Sequence, residues 1–191
     1  MKATKLNGCA FEENHTTKDG GGNLEIDRAT AVAFSGYRPE KFPFALDEGN
    51  DSYLKLCNDI EKALLELLEQ GYQTYLCGMA RGFDLLCGKI LLGVIDQDRT
   101  IDVKLVVVLP FKQQSFSGHW GELHRWLRAR AEHEVVISPK YSKHSYHQRN
   151  SFMIENSSCL VCYWDGQEGG TASTVRVAMK QEHSIFNMAE K

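Results

Sequence analysis

Short runs of consecutive apolar residues recur from Thr30 onward, separated by longer segments in which apolar residues return every three or four positions. The runs fall at Ala31–Phe34, Tyr72–Cys77, Val103–Leu109, Glu134–Ile137 and Cys159–Trp164, and Ser184–Met188 makes a sixth. Their lengths are those of strands rather than helices. LVVVL and CLVCYW are apolar at successive positions, as suits central strands of a parallel sheet covered on both faces. Between Tyr53 and Gln70, the residues Tyr53, Leu56, Cys57, Ile60, Leu64, Leu67 and Leu68 form one stripe of helical period, and Gly71 supplies a stop. Phe83, Leu86, Cys87, Ile90, Leu91 and Val94 form another, and further helices are expected over Gly118–Ala131, Ser145–Ser157 and Thr171–Glu182.

Strands alternating with helices imply right-handed β-α-β crossovers. The pattern predicts an α/β fold: a three-layer, Rossmann-like, doubly wound domain with a mostly parallel sheet of about five or six strands and helices on both faces. That domain takes residues 29–191. Residues 1–28 are polar, carry Gly20-Gly21-Gly22, and are expected to form an extension or loose hairpin outside the main core.

Composition narrows the function classes. The chain has 191 residues, 42% of them hydrophobic and 25% charged, with a formal net charge of −3. Those are ordinary values for a soluble globular protein, and there is no overall basic footprint of a dedicated nucleic-acid binder. No apolar run approaches the roughly 20 residues of a membrane span. The amino-terminal residues lack the apolar core of a signal peptide, so a cytoplasmic location and reduced thiols are expected for the six cysteines. Cys159 and Cys162 form a C-x-x-C, but on a strand residues three apart face opposite sides of the sheet. The other cysteines show no zinc-site spacing, so no metal ligation is expected.

Ligands of such sheets bind beyond the carboxyl ends of the strands. The loops expected there are SGYRPEKFP, GMARGFD, PFKQQ, SPKYS and WDGQEGGT, and they gather glycine, arginine and hydroxyl residues. EQGY and DQDRTIDV, at the other edge, look like ordinary capping. In the first loop Ser35 and Gly36 permit a tight turn and Arg38 offers a planar fork for phosphate or carboxylate. A plain turn with a surface arginine is the alternative. Gly78 and Gly82 bracket a strand-to-helix turn whose amides either face an anion or merely start the helix. Asp84, in the first turn of that helix, either favours its dipole or reaches a ligand. Gly169, Gly170 and Thr171 form either a phosphate cradle or a simple helix cap. Neither the dinucleotide fingerprint nor the Walker loop is present.

Arg149 and Asn150 lie early in the fourth helix, with Arg149 one turn from Met153. His144 and His147 share helical spacing but have no further ligand nearby. Arg125, Arg128 and Arg130 read as a solvated helix face, with a nucleic-acid patch as the alternative. Phe111 and Gln114 either line a base or sugar pocket or serve core and turn. No nucleophile triad or elbow is found. If catalysis occurs, a carboxylate acting on water is expected, from Asp84, Glu155 or Asp165.

The ordered set SGYRP, GMARGFD, KLVVVLPFKQQ, HQRNSFMIENSSCLVCYWDG and GGTASTVRVAMK resembles the YpsA/YspA-like family, also called DUF1273, of the SLOG superfamily. The resemblance runs from Ala31 to about Met188. It implies a Rossmann-like pocket for a nucleotide or nucleotide-derived small molecule, NAD and ADP-ribose derivatives among them. Carried onto this chain, the pocket uses Ser35, Gly36, Arg38, Gly78, Met79, Gly82, Asp84, Arg149 and Asn150, with Gly169, Gly170 and Thr171 as the phosphate-facing turn. The related cytokinin-activating phosphoribohydrolases carry PGGxGTxxE with a catalytic glutamate. Here the run is EGGTASTV, which lacks both the proline and that glutamate. The DNA-processing protein A family shares the superfamily fold and binds single-stranded DNA, but this chain lacks a basic balance.

The expectation is therefore a cytoplasmic binding or sensor protein for a nucleotide-derived ligand, requiring no cofactor and no membrane. The alternatives are a nucleotide-directed hydrolase and, less favoured, a single-strand nucleic-acid binder. A homodimer is expected only by analogy of fold.

Overall fold

The computed structural model describes residues 16–18 and 24–189. Seven strands form one sheet: β1 (Thr16–Lys18), β2 (Ala31–Ser35), β3 (Thr74–Cys77), β4 (Lys104–Leu109), β5 (His133–Val136), β6 (Cys159–Cys162) and β7 (Ser184–Asn187). Five helices connect them: α1 (Asp51–Glu69), α2 (Phe83–Gln97), α3 (Gly118–Arg130), α4 (Ser145–Glu155) and α5 (Gly170–Lys180). The sheet order is β1-β5-β4-β3-β2-β6-β7. Strands β2 to β7 are all parallel. The chain builds outward from β2 to β5, then returns to the other side of β2 with β6 and β7. The order therefore reverses between β2 and β6, the switch point where ligands of such sheets bind.

Periodicity explains most of these elements. Asn50 caps α1, its side chain accepting from the amides of Ser52 and Tyr53, and Gly71 ends the turn beyond it with φ of +87°. The α1 stripe Leu56, Ile60, Ala63, Leu64 and Leu67 is buried. One face of the sheet packs against α1, α2 and α3 through residues such as Ile60, Leu91 and Leu127. The other face packs against α4 and α5 through Met153, Ile154, Val175 and Ala178. Cys159 belongs to the first core and Cys162 to the second, so the C-x-x-C straddles the sheet. Burial pushes both thiols up to about 12, which leaves them inert as thiolate ligands.

The amino-terminal extension contributes more than the hydropathy pattern suggests. Thr16–Lys18 pairs antiparallel with β5, Thr17 opposite Val135. Leu24 and Ile26 pack against the second core. The expected strands are present with shifted ends: Tyr72, Gln73, Tyr163 and Trp164 lie outside the ladder. Gly20-Gly21-Gly22 falls outside the described residues.

Candidate functional site

The first turns of α2 and α5 meet at one residue of the loop after β2, Gly36, and α4 joins them through Arg149. The Gly36 amide donates to Asp84 Oδ1 at 3.2 Å, and its carbonyl accepts from Thr171 Oγ1 at 3.2 Å. A side chain there would meet the Phe83 ring at 2.4 Å, which is why glycine occupies the position. Asp84 Oδ2 also accepts from the Ala80 amide, at 3.4 Å, and from Arg149 Nη1, at 3.1 Å. Both members of this ion pair are buried, with side chains 3% and 6% exposed. Burial pushes the Asp84 carboxyl up, opposed by the Arg149 charge and the Ala80 and Gly36 amides. Gly78 lies against the guanidinium, closer than any side chain would allow.

Asp84 and Arg149, two of the expected ligand contacts, are thus engaged with each other. The pair ties α4 to the β3–α2 loop and, through Gly36, to the β2 loop. Gly82, with φ of +89°, precedes Phe83, whose amide donates to the Tyr37 carbonyl at 3.1 Å. Asn150 points instead toward α5, donating to Thr174 Oγ1 at 2.9 Å. Ser35 is buried at the end of β2.

The glycine turn resolves its own ambiguity in part. Gly169 precedes α5 with φ of +148° and no side chain caps the helix. The Thr171 hydroxyl is used on the Gly36 carbonyl rather than as a cap. Lys41 Nζ lies 3.1 Å from where a Gly169 Cβ would stand, so a cation borders the uncapped amino end. Arg38, three residues earlier, places its guanidinium 5.6 Å from the Tyr146 ring centre.

Arg38 also borders a cleft of about 350 Å³ at the carboxyl edge of the sheet, lined further by Ala80, Arg81, Gln114, Ser115, Phe116, Ser117 and Tyr146. Arg81 lies 5.8 Å from the Phe116 ring centre and pairs with Glu40 at 2.7 Å. The cleft wall so combines two guanidinium groups, two aromatic rings and two serine hydroxyls. Gln114 was legible as a pocket candidate. Arg81, Phe116 and Tyr146 follow no periodic pattern, and the ring in the polar run QQSFS is the one local signal that points to this wall. Phe111 packs on Tyr141 and Tyr146, behind the Tyr146 wall. Met79 is buried with φ of +59°, a strained non-glycine conformation beside the cleft.

The carboxylates proposed for catalysis do not line this cleft. Asp84 is committed to Arg149. Asp165 accepts from the Tyr37 hydroxyl and the Gln167 amide, contacts that hold its carboxyl below the usual range. Glu155 ends α4 at the opposite edge of the sheet. Among the described residues, no group of three or more His, Cys, Asp or Glu is placed to hold a metal ion. On α3, Arg128 grips Glu134 with two bonds of 2.7 Å, and Arg130 grips Asp96 at 2.7 and 2.6 Å. Two of the three helix arginines are thus engaged within the chain.

His124 supports the cleft from behind, stacking edge-on against Phe116 with ring centres 5.2 Å apart. Burial lowers its pKa to about 4, so it is folded as the neutral imidazole. The unfolded chain binds the proton first, so this contribution is full above about pH 6.5 and is lost as pH falls toward 4. Wild type should lose roughly 1–2 kcal/mol more than His124→Phe between pH 7 and pH 5. Chemical denaturation at the two pH values checks this, and equal losses would refute it.

A family model described as the YspA SLOG family matches residues 32–189. The chain belongs to that family. Relatives of this YspA SLOG family member include a UPF0398 protein of Bacillus pumilus, 26% identical over 145 residues that cover 73% of this chain and 76% of the relative. A UPF0398 protein of Bacillus cereus is 25% identical over 163 residues, 82% of this chain and 85% of that one. Among solved structures, DNA processing protein A of Helicobacter pylori, described for its single-stranded DNA binding mode, superposes with a TM-score of 0.56 at 17% identity. The match covers 82% of this chain and 64% of that one. The Streptococcus pneumoniae DNA processing protein A gives a TM-score of 0.56 at 16% identity, over 82% of this chain and 49% of that one. The chain therefore spans under two thirds of either protein, and the likeness is one of fold. No helix among the described residues is long and apolar enough to cross a membrane.

Proposed function

We propose that this SLOG-family protein binds a nucleotide or nucleotide-derived small molecule in the Arg38 cleft, without a catalytic carboxylate in that cleft. The observation that carries this reading is the cleft wall: guanidinium groups of Arg38 and Arg81 beside the rings of Tyr146 and Phe116. A planar base stacks on an aromatic face, and guanidinium forks match phosphate oxygens. The cleft volume of about 350 Å³ lies within the range of small-molecule sites. The loop bearing Arg38 also carries Lys41 to Gly169, which sets a cation at the uncapped amino end of α5.

Calorimetric titration with AMP, NAD, ADP-ribose and a cyclic nucleotide, followed by chromatography of the incubated ligand, tests the reading. Saturable binding with the ligand recovered intact is expected. Cleavage of the bound ligand would favour a hydrolase instead, and no binding by any of the four would remove the nucleotide reading. NAD and ADP-ribose derivatives suit the same chemistry as the mononucleotides, and the panel ranks them.

A further inference from the structure

Gln114 is the polar side chain of the cleft wall that is itself buried, at 2% exposure. Its Nε2 lies 3.4 Å from the Met79 carbonyl oxygen, a long hydrogen bond. Reversing the amide would set oxygen against oxygen, so the Met79 carbonyl fixes which end is which. The amide oxygen, Oε1, then has no hydrogen-bonding partner among the described residues. A buried acceptor left unmatched costs about 1–3 kcal/mol and calls for a partner; of the six such side-chain atoms among the described residues, Gln114 Oε1 is the one on the cleft wall. The carbonyl it is tied to belongs to Met79, whose positive φ turns the β3–α2 loop at this point.

Other features carry less. The second cleft, beside Phe44 and Tyr163, has both its carboxylates engaged, Asp165 by Tyr37 and Asp59 by Lys55. The small gap between α4 and α5, near Asn150 and Thr174, is about 40 Å³ and too small for more than solvent.

We propose that Gln114 is the specificity-determining residue of the cleft, its amide oxygen accepting a hydrogen bond from the exocyclic amino group of the ligand's base. This rests on the nucleotide reading of the same cleft and narrows it to bases that carry an exocyclic amino group. Adenine offers the donor that hypoxanthine replaces with a carbonyl, and cytosine offers the one that uracil lacks. A site built to accept from a donor rejects the analogue without it, because its own buried acceptor is then faced by a second acceptor. Arg38 serves the phosphate alike in all four nucleotides, so the discrimination is assigned to the base.

Calorimetric titration of the wild-type full chain with AMP, IMP, CMP and UMP tests this without altering the fold. The expected result is binding of AMP and CMP at least about tenfold tighter than IMP and UMP, respectively, the scale of one hydrogen bond. In Gln114→Met, similar in length and without the acceptor, each ratio should fall to about twofold or less. Thermal melting of the variant checks its fold. Equal affinities of amino and keto partners in wild type would overturn the role of Gln114 while leaving nucleotide binding intact. Retention of the full ratio in a folded Gln114→Met would do the same. Absence of binding by all four mononucleotides would overturn the role of Gln114, and the nucleotide reading would fall with it only if NAD, ADP-ribose and the cyclic nucleotide also failed to bind.

Discussion

Asp84→Ala is expected to destabilise the protein by about 3–5 kcal/mol, because it leaves a buried guanidinium without its counter-charge. For a domain of this size that lowers Tm by roughly 6–20 °C. The loss has three components: Arg149 keeps an unpaired charge at 5% exposure, and the amides of Gly36 and Ala80 lose their acceptor. Arg149→Met should cost a similar amount from the other side, since burial already pushes the Asp84 carboxyl up and the arginine opposes that shift. Combining Asp84→Leu with Arg149→Met should restore part of the loss, as buried pairs replaced by apolar residues often do. Restoration stays partial because the two amides remain unmatched. Thermal melts of the single and double variants check the pattern. An Asp84→Ala melt within about 2 °C of wild type would refute it.

The second large effect is expected at Gly78. A Cβ there would stand 1.5 Å from Arg149 Nη1 and 2.7 Å from Asp84 Oδ2. The guanidinium fills the space beside the glycine, so Gly78→Ala must push it off the carboxylate. The cost should be about 2–4 kcal/mol, an overpacking penalty plus part of the lost pair. Much of that cost should disappear when Gly78→Ala is made in an Arg149→Ala background, where the methyl group enters vacated space. Denaturant titration of the four proteins gives the coupling energy. Additive effects within about 0.5 kcal/mol would mean that Gly78 and Arg149 do not compete for the same space.

How far the sequence reveals this arrangement depends on whether a feature is periodic. The parallel sheet was legible because its strands are apolar on both faces and its helices carry apolar stripes. The separation of Cys159 from Cys162 onto opposite faces followed from strand geometry alone. Strand β1 was hidden because Thr16–Lys18 is short, polar and lies at the sheet edge, where one side of the ladder suffices. The strand-end loops were legible as a set, but the partners within them were not. Asp84 and Arg149 are 65 positions apart, and a sequence gives charges without distances. Arg149 did carry a clue: it shares the inward register of Met153, and a charge on a buried stripe needs a buried partner. The Phe116 and Tyr146 walls follow no period, so only the folded loops bring them together.

Binding at the Arg38 cleft is tested most directly by comparing AMP affinity of wild type and Arg38→Ala by calorimetry. Arg38 is exposed at the end of β2, so its removal should leave the melt near that of wild type. Loss of a charge-assisted contact to phosphate should weaken AMP by about 1.5–3 kcal/mol, or roughly 10- to 150-fold. Equal AMP affinity in a folded Arg38→Ala protein would place the ligand elsewhere and contradict the assignment of the cleft.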